Sequence, residues 1–135
     1  QITDGYAGLI VATEEGLARI GVAKRDCVRI AGWGQATDPL KKQGRDVLRP
    51  KGAYAAMGRA YAMAGLSPED VNVAELHDCF TVMAAIGTEV IGKAEYGRGA
   101  SYWVDGKAAP GGACGINTSG VTLKSSEKNS RLPTR

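Results

Sequence analysis

Two short apolar runs with one helix-periodic segment between them constrain this chain more than any other feature. Cys27–Trp33 (CVRIAGW) and Val71–Leu76 (VNVAEL) have the length and residue types of buried strands. Between them, Gly52–Ala64 places Ala53, Ala56, Met57, Ala60 and Ala64 at three- and four-residue spacing. Such a stripe of small side chains predicts a helix packed closely on a sheet. Gly65 follows at the position where helices commonly end in a left-handed turn. A helix between consecutive strands points to a layered α/β domain.

The remaining segments fit that alternation. Ala7–Ala12 (AGLIVA) predicts a further strand, and Thr13 before Glu14 and Glu15 is a helix N-cap with acids in the first turn. That helix is expected to run to about Ile20 and stop at Gly21. Gly34–Pro50 is polar and broken by Gly and Pro, so it predicts loop, and Ser67–Asp70 predicts a turn. Cys79–Ile91 predicts a helix with Ile86 and Val90 facing inward, together with Val82 or Met83. Gly97–Gly112 predicts a Gly-rich loop with a short strand at Tyr102–Val104. The last fifteen residues show no periodicity and are expected to be irregular.

Composition narrows the function classes. The chain has 135 residues, 44% hydrophobic and 23% charged, a balance that supports a packed core rather than disorder. Its net charge of +3 owes much to Lys124, Lys128, Arg131 and Arg135. No basic stripe interleaved with aromatics suggests nucleic acid. No run approaches the roughly 18 apolar residues of a membrane span. Cys27, Cys79 and Cys114 form no CxxC pair and no disulfide framework, so reduced thiols in an intracellular protein are expected. Asn117-Thr118-Ser119 matches a glycosylation sequon, which has no meaning in that setting.

The chemistry-bearing stretch is Ala74-Glu75-Leu76-His77-Asp78-Cys79-Phe80. A strand ends there and a helix begins, with Asp78 as its expected N-cap, and ligands of open α/β sheets gather at such junctions. His77, the only histidine, can donate to a developing oxyanion. Cys79, beside a helix start, can work as a thiol acid/base. Against this stand a structural histidine and a packing cysteine, which spacing alone does not exclude. A zinc site built from His77, Cys79, Cys27 and Cys114 is a further option whose spacing fits no standard ligand pattern.

The stretch from Ala64 to Phe80, ending in His-Asp-Cys-Phe, resembles the sterol-carrier-protein type of thiolase, where HDCF stands in place of the NEAF of other thiolases. Asp4–Val11 with Glu14-Glu15 is similar to the last strand and helix of that family's N-terminal half, and Ile116–Gly120 to the start of its next strand. The resemblance covers roughly residues 3 to 120. It implies a thiolase-like layered α/β fold, here its C-terminal half and incomplete. Residues 1–24 would end the N-terminal half, 25–120 would form a truncated C-terminal domain, and 121–135 a tail outside the family pattern. It also implies thiolytic cleavage of a 3-ketoacyl-CoA or the reverse Claisen condensation. His77 would contribute to an oxyanion hole and Cys79 would move the α-carbon proton. Coenzyme A or acyl-CoA would be a substrate, with no permanently bound cofactor. The expected partners are a second copy or the missing N-terminal half. The compartment is open among peroxisome, mitochondrion and cytosol.

Two family features do not appear. The nucleophilic cysteine belongs to the N-terminal half, and the GHPxGxTG segment expected after Asn117–Gly120 is replaced by Val121-Thr122-Leu123-Lys124-Ser125. The chain therefore reads as a piece of something longer, with a tail that is either frame-shifted or diverged. It is expected to be inactive alone and marginally stable without a partner. The alternative function is a non-catalytic acyl-CoA or lipid-binding module, or a regulatory partner of intact thiolase subunits.

Overall fold

The alanines of Lys51–Ala64 (α2) leave one thin side on that helix, and an extended segment lies against it. In the computed structural model, which describes residue 6, residues 8–40 and residues 46–119, Gly32 and Gly34 press on the α2 backbone. A Cβ on Gly34 would stand 1.9 Å from the Ala56 carbonyl oxygen, and one on Gly32 would stand 2.3 Å from that of Ala60. Ala56, Ala60 and Ala64 of the stripe therefore meet an extended strap, while Met57 packs on the core that includes Ile116 of the sheet. Ala56, Met57, Ala60 and Ala64 are half-buried, whereas Ala53 is exposed. Pro50 cannot cap α2 with a side chain, and Asp38 does so instead, its Oδ1 accepting from Gly52 N at 3.0 Å. Gly65 ends the helix at φ +67, the left-handed conformation that glycine adopts freely.

Gln1–Ile30 and Ala31–Arg135 form two compact units. In the first, Glu14–Arg19 (α1) begins at Thr13, whose hydroxyl accepts from Gly16 N at 3.1 Å. Glu15 pairs with Arg19 one turn on, and Lys24 with Glu14. The expected strand Ala7–Ala12 falls partly outside the described residues, and Gly8–Ala12 joins no ladder. Cys27–Trp33 does not form a strand either. Its apolar side chains Val28 and Ile30 are exposed, and its second half supplies the strap against α2.

In the second unit, Val73–Ala74 (β1) pairs in parallel with Gly115–Ile116 (β2), Val73 opposite Gly115 and Ala74 opposite Ile116. Helices with a small parallel sheet make this an α/β arrangement. The strand expected at Val71–Leu76 thus forms only over its central two residues. Thr81–Val90 (α3) packs on Gly99–Val104 (α4). The core beneath them is Ile91, Tyr102, Ala108, Cys114 and Ile116. Tyr61 of α2 donates to the Ile91 carbonyl at 2.7 Å, and burial raises its phenol pKa above the usual value.

The helix α4 replaces the loop and short strand expected over Tyr102–Val104. Gly99 makes this possible: its Cβ would stand 2.1 Å from the Ala85 carbonyl oxygen, so only glycine lets α4 start this close to α3. Glu89 of α3 then receives Gly99 N on Oε1 at 2.8 Å, satisfying a buried donor at the α4 N-terminus. Ser67–Asp70 closes as a turn of 3-10 helix, with the Ser67 amide and hydroxyl both donating to Asp70 Oδ2 at 2.8 Å. The tail expected to be irregular, from residue 121 on, lies outside the described residues.

Candidate functional site

Seventy-five to eighty is the stretch that joins β1 to α3, and its shape follows from what each end is fixed to. At the strand end, Gly115 N donates to the Asn72 carbonyl at 3.1 Å and Asn117 N to that of Ala74 at 2.9 Å. At the helix end, α3 begins only at Thr81, with Phe80 in the N-cap position and no side-chain cap. Asp78 is therefore not the cap that the sequence suggests. The helix starts two residues later, because the Asp78 carboxylate is engaged elsewhere, with Asn117 Nδ2 donating to Oδ2 at 3.1 Å.

His77 and Cys79 alternate along this connection and both are exposed, while Leu76 and Asp78 between and beside them are half-buried. The two stand two residues apart where the chain leaves β1 and bends at Cys79 and Phe80 into α3. Phe80 is 71% exposed and Val82 52%, so the rim around the pair is apolar and uncovered. Such a surface can offer an N–H donor and a proton-carrying thiol to one ligand.

Asn117, forty residues away in sequence, organises the stretch. Its Oδ1 accepts from Leu76 N at 2.7 Å while its Nδ2 holds Asp78, one residue on either side of His77. Asn117 itself stands at φ 55, the left-handed conformation that asparagine tolerates better than most residues. Ser119 N adds a bond to Glu75 Oε1 at 3.1 Å. Reading the sequence by local pattern missed Asn117 as part of the site and gave Asp78 the role of a helix cap in place of a partner for Asn117. The one available signal was the similarity of the Ile116–Gly120 segment to a family strand.

The zinc option is not supported. Among the described residues no group of three or more His, Cys, Asp or Glu side chains is placed to hold a metal ion. Cys114 is fully buried in the core, whereas Cys27 and Cys79 are exposed. Two of the clefts among the described residues lie elsewhere. One of about 640 Å³ runs between the strap and α2, lined by Trp33, Gln35, Thr37, Arg59 and Met63 among others. One of about 320 Å³ is lined by Lys93, Arg98, Ser101 and Lys107 among others. Neither includes His77 or Cys79. No helix among the described residues is long and apolar enough to cross a membrane.

Comparison with known proteins gives a consistent result. Residues 34–130 match the family model described as thiolase C-terminal domain-like. The chain is 32% identical over 122 residues to the benzoylsuccinyl-CoA thiolase subunit BbsB of Thauera aromatica, covering 90% of this chain and 31% of that protein. It is 37% identical over 109 residues to an acetyl-CoA acetyltransferase of Methanocaldococcus jannaschii, covering 80% of this chain and 28% of that one. Sterol carrier protein 2 of Oryctolagus cuniculus is 32% identical over 122 residues, covering 87% of this chain and 22% of the carrier protein. Among solved structures, the Ltp2-ChsH2(DUF35) aldolase superposes with a TM-score of 0.61 at 26% identity, over 66% of this chain and 25% of that one. The chain thus spans less than a third of the length of these relatives.

Proposed function

Because this chain belongs to the thiolase C-terminal domain-like family, we propose that it supplies one half of an acyl-CoA acyltransferase site, with His77 and Cys79 as its reacting residues. The observation that carries this reading is an exposed imidazole and an exposed thiol on a connection held on both sides of the histidine, at the Leu76 amide and at the Asp78 carboxylate. In thiolysis of a 3-ketoacyl-CoA, the bond between the α- and β-carbons breaks and its electron pair passes to an enolate. His77 donates a hydrogen bond to that enolate oxygen. Cys79 gives its proton to the α-carbon and recovers one from the incoming coenzyme A thiol. The acyl group meanwhile rides on a cysteine of the half that precedes this segment in the family.

The wider reading follows from the same premise. Residues 1–24 would close the N-terminal half, and 25–120 would form most of the C-terminal domain of a layered fold. The exposed side chains of Val73, Phe80 and Val82 support a covering segment from that missing half or from a second copy. Alone, the chain is expected not to turn over.

A chimera tests the assignment. Residues 34–119 replace the matching segment of the Methanocaldococcus jannaschii relative, which supplies the rest of the polypeptide. The chimera should cleave acetoacetyl-CoA in the presence of coenzyme A. Cys79→Ser should then lower kcat by about 10²–10⁴-fold, as expected for loss of an acid/base, and His77→Ala by about 10²–10³-fold, as expected for loss of an oxyanion donor. An active chimera indifferent to both substitutions would sink the proposal.

A further inference from the structure

We propose that Asn117 is the positioning residue of this site, setting where His77 and Cys79 stand by gripping the chain on either side of the histidine. The inference rests on the reading that those two residues carry chemistry, and it adds the group that holds them. Three observations bear on it. The Asn117 side chain uses both of its functions on one connection, the carbonyl on Leu76 N at 2.7 Å and the amide on Asp78 Oδ2 at 3.1 Å. Its backbone continues the ladder to Ala74 at 2.9 Å, so the side chain is anchored to the same sheet that launches the connection. Its left-handed φ of 55 turns the side chain back over β1 directly after β2 ends.

Packing holds the Leu76 side chain against the core but does not reach the exposed residues that follow it. His77, Cys79 and Phe80 are exposed, and α3 starts without a side-chain cap. A carbonyl alone would fix the strand side of His77 and leave the helix side free. A carboxylate in place of the amide would face the Asp78 carboxylate at hydrogen-bond distance and repel it. An amide accepts on one atom and donates from another, so it can hold an N–H and a carboxylate at two separate points, which a hydroxyl must do from a single oxygen. Asn117 does not itself touch the reacting atoms in this account. It acts through the two residues it spaces.

The test uses this chain as it stands and needs no acyl-CoA, so its outcome is separate from that of the chimera. Asn117→Gly keeps the left-handed backbone and removes the side chain. Amide exchange at Leu76 should then accelerate about tenfold, as for a lost hydrogen bond, with the Ile91 amide, held by the Gly87 carbonyl, unchanged. Alkylation of Cys79 relative to exposed Cys27 should move by at least about threefold, since thiol reactivity follows local environment. Buried Cys114 should stay unlabelled. The imidazole resonances of His77, the sole histidine, should shift as well. Asn117→Asp should keep Leu76 protected and still disturb Cys79 and His77. Adding Asp78→Asn to it restores a donor and an acceptor with their places exchanged, and should return both signals to wild type. Unchanged Leu76 exchange in Asn117→Gly would overturn the proposal. So would labelling of Cys114 in step with Cys79, which marks a general structural role, or failure of the double substitution to restore.

Discussion

The two ends of α3 are built on different principles. At the C-terminal end, Thr88 is fully buried and Glu89 and Ile91 nearly so. The Thr88 hydroxyl donates to the Ala84 carbonyl at 2.8 Å and accepts from Trp103 Nε1 at 2.9 Å, while Glu89 receives the α4 N-terminus. At the N-terminal end, Phe80 and Val82 are exposed and no side chain caps the helix. The closed end is fixed by packing and the open end by a few long-range hydrogen bonds through Asn117. His77 and Cys79, the residues proposed to react, are exposed at the end of the second kind.

The contrast can be broken hardest at Gly99. Gly99→Ala drives a methyl into the Ala85 carbonyl oxygen at the closed end. It should cost about 3 kcal/mol in denaturant melts, at the upper side of typical overpacking penalties, while Cys79 alkylation in the folded state stays as in wild type. Thr88→Val keeps the volume and strands the Trp103 N–H, so about 1–2 kcal/mol should be lost. The Trp103 fluorescence maximum would report the change locally.

Ser67→Ala sharpens the contrast through pH. The Ser67 bonds, the amide's first, hold the Asp70 carboxyl below its ordinary value of 3.8. A depressed folded pKa adds stability that is present above the unfolded value and lost as pH falls through the folded one. The small deficit of Ser67→Ala should therefore be seen in melts at neutral pH and close below about pH 3.8. At the open end, Phe80→Ala should change stability by no more than about 0.5 kcal/mol, as for a surface substitution. A loss as large as that of Thr88→Val would mean that this end is covered after all.

What local sequence made legible was what local sequence determines. The small-residue period of α2, its Gly65 stop, the Thr13 cap of α1 and the Ser67–Asp70 turn are all written within a few residues. Of the inward sets proposed for α3, the one with Met83, Ile86 and Val90 agrees with the burial, since Val82 is exposed. Features that depend on distant partners were not legible. A Gly-rich segment becomes α4 only because Ala85 and Glu89 receive it. An apolar run at Cys27–Trp33 has the composition of a strand, yet its Gly32, with Gly34 beyond it, lies against α2. Asp78 has the residue type of an N-cap, but Asn117, 39 residues later, takes its carboxylate. His77 and Cys79 could be named from their motif; the grip that spaces them lies 41 residues from Leu76 and has no local signature.

In the proposed reaction Cys79 moves a proton and does not carry the acyl group. Intact-mass and peptide mass spectrometry of the chimera, held with acetyl-CoA and no second substrate, tests it most directly. The account predicts an acetyl group on a cysteine of the upstream half and none on Cys79, with the same pattern in Cys79→Ser. Acetylation of Cys79 itself would contradict it.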